Sequence, residues 1–117
     1  MNIEQEIKAK GLSAPRVTPA DVEAEIASAH YFTAEDGCHG VACTHGVEIG
    51  GVPQPLKLLT LCVLVLRNGF TVTGESACAS PENYNAELGR KIARQKACDK
   101  IWPLLGFRLR DELAKAK

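Results

Sequence analysis

Two arginines, spaced one helical turn apart, form the residue pair that most directly suggests chemistry. Arg90 and Arg94 stand at positions i and i+4, so a helix would place both guanidinium groups on one face. Each guanidinium can donate paired hydrogen bonds, and the two together suit a phosphate or pyrophosphate. The alternative is a solvated face paired to Glu87, and the residues alone favour it because exposed arginines are common. Arg108 and Arg110 raise the same question further along the chain.

Aromatic side chains accompany these basic residues. Phe70, Tyr84, Trp102 and Phe107 all lie in the second half of the chain. An aromatic ring beside an arginine can stack on a nucleobase, which contributes about 1–3 kcal/mol per base. Core packing is the commoner role for Trp102 and Phe70, so both interpretations stay open.

The segment GESACASPEN, residues 74–83, supplies small polar groups next to these residues. In one interpretation it is a turn followed by a helix start, with Ser80 as N-cap and Pro81 as the first helical residue. In the other it is a ligand-binding loop in which Ser76, Ser80 and Asn83 offer hydrogen bonds. Cys78 lies in the same segment, but a cysteine nucleophile also needs a base and an orienting partner, and the sequence places neither nearby.

A cysteine and histidine group could suggest a metal site. Cys38, His39, Cys43 and His45 fall within eight residues, but their spacing does not match the two separated ligand pairs of a structural zinc site. We therefore predict no metal and no cofactor. The glycines of GVEIGG do not follow a strand and open a helix, so they do not form a phosphate-binding loop.

The first half of the chain is predicted to hold two helices, a short strand and a long loop. A weak helical pattern covers residues 2–11. Thr18 can cap a second helix that begins at Pro19 and runs to about residue 28. Residues 30–33 are predicted to be a strand, and the glycine-rich composition of residues 36–57 predicts a variable loop.

The second half is predicted to form a hairpin followed by two helices. Residues 58–67 are apolar at nearly every position, as in a central strand or one covered on both faces. Asn68-Gly69 predicts a tight turn in which both residues have positive φ, leading to a returning strand over 70–73. A helix over 81–102 would end at Pro103, with a last helix over about 103–115. The predicted fold is therefore α+β: a small antiparallel sheet, an N-terminal helix and two C-terminal helices.

A run of small residues marks one face of the first C-terminal helix. Gly89, Ala93 and Ala97 stand at i, i+4 and i+8, which allows another element to approach that face closely.

Length and charge exclude several classes of protein. A chain of 117 residues suits a single domain spanning residues 1–117. Fourteen basic and fourteen acidic residues give no net charge, which argues against salt-driven DNA binding. No apolar run reaches the roughly 18 residues of a membrane-spanning helix. Five cysteines without an export signal predict free thiols in a cytoplasmic protein.

Three segments resemble a family of small phage and prophage proteins. They are APRVTPADVEAEI at 14–26, RNGFTVTGESACASPENYNAELGRKIA at 67–93 and KIWPLLGFRLRDEL at 100–113. That family is identified as including the first type of Thoeris anti-defence protein. The resemblance covers most of the chain outside residues 36–57.

The resemblance implies a binding protein of the host cytoplasm rather than an enzyme. Such proteins sequester glycocyclic ADP-ribose, an immune signal made by a bacterial TIR enzyme, without cleaving it, and the family is associated also with cyclic oligonucleotides. It further implies homo-oligomers, from dimers to hexamers, with pockets at subunit interfaces. Under this resemblance, Arg90 and Arg94 would bind the pyrophosphate, and Phe70 or Tyr84 would stack on the base. Asn83, Ser76 and Ser80 would form hydrogen bonds, and Arg108 would be a further ligand contact.

Two other functions compete with sequestration. One is a phage accessory protein that binds a host protein through apolar helix faces and has no small-molecule ligand. The other is an enzyme that depends on Cys78 or on a metal. Calorimetry with the nucleotide distinguishes the host-protein binder, which has no affinity for it, from a sequestering protein. Substitution of Cys78 tests the enzyme hypothesis, which predicts a loss of activity.

Overall fold

The computed structural model describes residues 2–46 and 50–116. Five α-helices, three strands and one short 3₁₀ helix follow in the order α1 Ile3–Ala9, α2 Pro19–Glu25, β1 Ile26–Thr33, α3 Ala34–His45, α4 Gln54–Lys57, β2 Leu59–Leu66, β3 Thr71–Ala77, the 3₁₀ helix Pro81–Asn83 and α5 Ala86–Lys115.

The first two helices begin as predicted, each with a reciprocal cap. Asn2 and Gln5 cap α1, and Thr18 and Asp21 cap α2, each side chain bonding the other residue's backbone N–H. Helix α2 ends at Glu25, earlier than predicted, because Ile26 is already extended and opens strand β1. The predicted strand over 30–33 is therefore the second half of an eight-residue strand.

The predicted loop over residues 36–57 is wrong for most of its length. Helix α3 starts at a third capping box, in which Asp36 accepts a hydrogen bond from the Thr33 backbone N–H at 2.8 Å and donates one to the Thr33 hydroxyl at 3.1 Å. Gly46, with φ of 64°, ends it in the left-handed conformation that favours glycine. The central residues of GVEIGG, 47–49, lie outside the described residues.

The sheet is antiparallel with β2 in the centre, in the order β1-β2-β3. Its inner face carries four buried residues of β2, namely Thr60, Cys62, Leu64 and Leu66. The alternate residues of β2, on the outer face, are only half-buried. The prediction of a central strand is confirmed, and α5 covers the inner face alone.

The hairpin between β2 and β3 uses a different turn from the predicted one. Gly69 has a φ of 89°, but Asn68 does not have positive φ. The Gly69 N–H donates to the Leu66 carbonyl at 2.9 Å and the Leu66 N–H donates to the Phe70 carbonyl at 2.8 Å. This arrangement is a type I turn followed by a left-handed glycine, so one glycine meets the conformational requirement.

The long C-terminal helix starts later than predicted. Ser80 makes no capping hydrogen bond, and Pro81 opens only the 3₁₀ helix. The Ser80 hydroxyl donates instead to Glu82 at 2.8 Å. Asn85 is the N-cap of α5, and its side-chain oxygen accepts from the Leu88 N–H at 2.9 Å.

The predicted helix break at Pro103 is also wrong, because α5 continues through it for 30 residues. Proline costs about 3 kcal/mol inside a helix, but Ile101 and Leu105 on either side are buried against the sheet. Their packing offsets the missing backbone hydrogen bond. The α+β class and the small antiparallel sheet are confirmed, with one long C-terminal helix where two were predicted.

The predicted close approach at the small-residue face is confirmed. Gly89, Ala93 and Ala97 are all buried. A Cβ atom on Gly74 of β3 would overlap the Ala93 carbonyl oxygen and the Ala97 amide nitrogen. Strand and helix therefore meet backbone to backbone, which sets the position of α5 on the sheet.

Candidate functional site

A cleft forms where the start of β2 and the end of β3 meet the beginning of α5. It has two neighbouring compartments that are open to solvent, with cavity volumes of about 120 and 150 Å³. Thr60 and Tyr84 line both of them. We name the whole the Tyr84 cleft, because that ring stands between the two compartments.

The first compartment, here called the aromatic compartment, combines the tyrosines of the inner side with opposite charges, and Phe32 borders it from the strand whose outer face carries its ring. Tyr31, Phe32 and Tyr84 line it together with Asp36 and Arg90. Strand β1 supplies the first two residues, helix α3 supplies Asp36, and the first turns of α5 supply Arg90.

The second compartment, here called the amide compartment, is lined by small polar groups and apolar residues. Ser76, Asn83 and Asn85 contribute hydroxyl and amide groups, and Leu88 and Ile92 contribute apolar surface. These polar side chains suit the hydroxyl groups of a sugar, which both donate and accept hydrogen bonds.

Thr60 sits at the boundary of the two compartments with an unsatisfied hydroxyl. The residue is 3% exposed, and its Oγ1 has no hydrogen-bond partner within the described part of the chain. A Cβ atom on Gly89 would lie 3.0 Å from this oxygen, so the hydroxyl faces the backbone of α5. An unpaired buried hydroxyl costs about 1–3 kcal/mol, which a ligand or bound water could offset.

Arg94 lies beside the cleft but is engaged in other contacts. It donates to Glu23 at 2.9 Å and to the Tyr31 hydroxyl at 3.4 Å. The hydrogen bond to Tyr31, followed by the charge of Glu23, holds the pKa of Arg94 above its ordinary value. Arg94 therefore positions Tyr31, and through it one wall of the aromatic compartment.

Of the eight residues proposed from sequence, four line the cleft: Arg90, Tyr84, Ser76 and Asn83. Ser80 does not line the cleft, because its hydroxyl donates a hydrogen bond to the Glu82 carboxylate. Hydrogen bonds from the Glu82 backbone N–H and from this hydroxyl lower the pKa of the Glu82 carboxyl.

Phe70 and Arg108 line a different hollow, near the hairpin turn. Arg108 lies 18 residues beyond Arg90 on the same helix, or about 27 Å at the rise of an α-helix. The structure therefore places neither Phe70 nor Arg108 at the cleft.

A buried carboxylate explains the position of Arg108. Glu25 is 3% exposed, and Arg108 donates to it at 2.9 Å while Arg67 lies 3.8 Å away. The adjoining hollow of about 210 Å³ has three arginines facing three carboxylates, so it offers no net positive charge to an anion. Local sequence patterns do not predict this cluster, because Glu25 and Arg108 are 83 positions apart.

Asp36 and Tyr31 are cleft residues that were not proposed from sequence. The pattern Thr33-x-x-Asp36 is a readable capping signature, but the glycines that follow it pointed to a loop. Nothing in the sequence relates Tyr31 to α5, because the contact with Arg94 spans 63 positions.

The thiol groups form no disulfide and no metal-binding cluster in the described ranges. All five cysteines are free, as predicted. The Cys78 thiol donates to the Ser80 carbonyl at 3.1 Å. Within residues 2–46 and 50–116, no group of three or more potential metal ligands comes together.

Comparison with known proteins identifies the family. Residues 17–113 match the model of the Phage protein (N4 Gp49/phage Sf6 gene 66) family. The match spans well over half of the chain, which therefore belongs to this family. Searches of curated proteins and of solved structures gave no match. Among the described residues, no helix has the length and apolar character needed to span a membrane.

Proposed function

We propose that this phage protein is an anti-defence protein that binds and sequesters a nucleotide signal of bacterial immunity. Glycocyclic ADP-ribose is the proposed ligand, with cyclic oligonucleotides as further ligands of the same site. The observation that carries the proposal is the Tyr84 cleft, which joins an arginine, aromatic rings and small polar groups in one place.

Each part of such a ligand has a suitable group in the cleft. The guanidinium of Arg90 can form paired hydrogen bonds with a phosphate. No ion pair involving Arg90 occurs among the residues that the structure describes, so its donors are available. The ring of Tyr84 can stack on a base, and Ser76 with Asn83 can bond ribose hydroxyls.

The proposed action is binding without cleavage, in the host cytoplasm and without a cofactor. A sequestering protein needs affinity and an amount that matches the signal, and no covalent step. Cys78, which lines the amide compartment, donates its thiol hydrogen to a backbone carbonyl, and no histidine is among its described hydrogen-bond partners. We therefore propose that the protein is not an enzyme.

A homo-oligomer, from dimer to hexamer, is the proposed form of the protein. The chain exposes 8062 Å², whereas a folded monomer of 12.6 kDa exposes about 6,200 Å². The excess is larger than the roughly 800 Å² that one partner contributes to a standard interface. The outer face of β2, with half-buried Leu59, Leu61, Val63 and Val65, is an apolar surface that a second copy could cover.

Titration calorimetry with glycocyclic ADP-ribose tests the proposed function. Wild type should bind, and Arg90→Ala should weaken the affinity about 10- to 100-fold, the loss expected for a charged hydrogen-bonding group. Arg110→Ala is the matched control, because Arg110 is exposed on the same helix about 30 Å away. Heat denaturation of the complex should release intact ligand.

Three outcomes would count against this proposal. Recovery of a cleaved product would make the protein an enzyme. Equal weakening by Arg90→Ala and Arg110→Ala would move the site out of the cleft. Absence of binding to glycocyclic ADP-ribose and to cyclic oligonucleotides would favour the second candidate, a phage accessory protein that binds a host protein.

The apolar outer face is the observation that favours this second candidate. Phe32, Val41 and Leu61 line a wide, open hollow of about 520 Å³ there, and a host protein could occupy it as well as a second copy could. Light scattering separates the two, since a purified homo-oligomer has a mass that is a multiple of 12.6 kDa. If a second copy covers the outer face, Leu61→Asp should lower the measured mass toward that of one chain.

A further inference from the structure

The aromatic compartment is lined by two exposed side chains of opposite charge that form no ion pair within 4 Å with each other. Asp36 and Arg90 both line it. Among the described residues, neither Asp36 nor Arg90 forms an ion pair within 4 Å with any partner. An incoming ligand therefore meets a positive and a negative group in the same small space.

The carboxylate of Asp36 is held in place by its role in helix α3. One oxygen, Oδ2, accepts the hydrogen bond from the Thr33 backbone N–H at 2.8 Å. The other oxygen makes no hydrogen bond within the described part of the chain and keeps its full capacity to accept. Asp36, which lines the compartment, thus has one carboxylate oxygen held by the cap and the other available as an acceptor.

This pair of charges restricts the kind of ligand that fits. A simple phosphate would be attracted by Arg90 and repelled by Asp36, so the two effects would oppose each other. A molecule that carries a phosphate and, a few ångströms away, an N–H donor would satisfy both groups. An aromatic amine is such a donor, and the rings of Tyr31 and Tyr84 line the same space for stacking.

We propose that Asp36 is a specificity-determining residue that accepts a hydrogen bond from the exocyclic amine of the ligand's base. This inference rests on the proposed function, because it concerns the same cleft. The preferred ligands are nucleotides with an amine-bearing base such as adenine. A base with a carbonyl oxygen at that position places two acceptors face to face and is disfavoured.

The test compares two ligands that differ only at the base. They are glycocyclic ADP-ribose and its hypoxanthine analogue, in which a carbonyl oxygen replaces the exocyclic amine. Wild type should bind the amine-bearing ligand about tenfold or more tightly, since sites built to hydrogen-bond a group discriminate strongly against its absence. Arg90→Ala should weaken both ligands to a similar degree and keep the preference.

Asp36→Asn is the decisive variant. Its side-chain oxygen can still accept the capping hydrogen bond from Thr33, so its NH2 group, a neutral donor, replaces the charged acceptor that faces the base. The preference should fall to about threefold or less. Asp21→Asn is the matched control, because Asp21 makes the same capping box with Thr18 in α2. It should leave both affinities unchanged.

The outcomes separate this inference from the proposed function. Binding of both ligands by wild type with equal affinity would overturn the inference and leave the proposed function intact. So would a preference that persists in Asp36→Asn, or tighter binding of both ligands by that variant, which would show that the carboxylate only repels. Binding of neither ligand by wild type would overturn the inference, and the proposed function would fall as well if cyclic oligonucleotides were not bound either.

Discussion

Replacing Gly74 by alanine should destabilise the protein more than most single substitutions do. The added Cβ would overlap the Ala93 carbonyl oxygen and the Ala97 amide nitrogen, and it would lie 3.1 Å from the Ala97 Cα atom. All three are backbone atoms, so no side-chain rotation can relieve the clash. Helix α5 would have to move away from β3.

The size of the effect follows from that movement. Ordinary contacts between such atoms are about 3.4–4 Å, so α5 must shift by about 1 Å, which forfeits up to half of the dispersion energy at each contact it loosens. Ala93, Ala97 and Ile101 are fully buried in this interface. We expect a loss of about 3–5 kcal/mol in the free energy of unfolding, from a total of about 5–15 kcal/mol.

Thermal denaturation followed by circular dichroism measures this loss, and the melting temperature should fall by about 12–20 °C. Gly106→Ala is the matched control, because Gly106 lies in α5 with no atom within 4 Å of an added Cβ. That control should gain about 0.5–1 kcal/mol from better helix propensity. A Gly74→Ala protein within about 1 kcal/mol of wild type would refute the backbone-to-backbone contact.

Two further predictions concern buried polar groups and thiols. Thr60→Val should raise the free energy of unfolding by about 1 kcal/mol in urea denaturation, since it removes an unpaired buried hydroxyl from a central strand; no gain would mean that the hydroxyl is hydrogen-bonded in solution. In alkylation at pH 8 read by mass spectrometry, exposed Cys43 should react about tenfold or more ahead of Cys62 and Cys98, because burial protects both thiols and raises their pKa. Equal rates would show that the core opens readily.

Features coded by neighbouring residues were predictable from the sequence. The Thr18 cap, the apolar central strand and the small face of α5 each depend on residues within a few positions of one another. The turn at Gly69 was located correctly, although its type was not. The start of α3 was also readable from Thr33 and Asp36, but the glycine content of the segment outweighed that signal.

Features that depend on distant contacts were not predictable. Proline normally ends a helix, and α5 continues through Pro103 because Ile101 and Leu105 pack on a sheet that the local sequence does not reveal. Likewise, the spacing of Arg90 and Arg94 suggested one shared role. Only the fold shows that Arg94 forms a hydrogen bond with Glu23, 71 positions away, whereas Arg90 lines the cleft.

The contact at Gly74 also bears on the candidate site. Ser76 lies two residues beyond Gly74 on β3, and Arg90 lies three residues before Ala93 on α5. Because β3 and α5 touch through backbone atoms next to these residues, side-chain rearrangement cannot alter the spacing of the two elements there. A cleft built on such a contact is preorganised, so a ligand that fits it pays little to order its walls. Under the proposed function, Gly74 would therefore contribute to affinity as well as to stability.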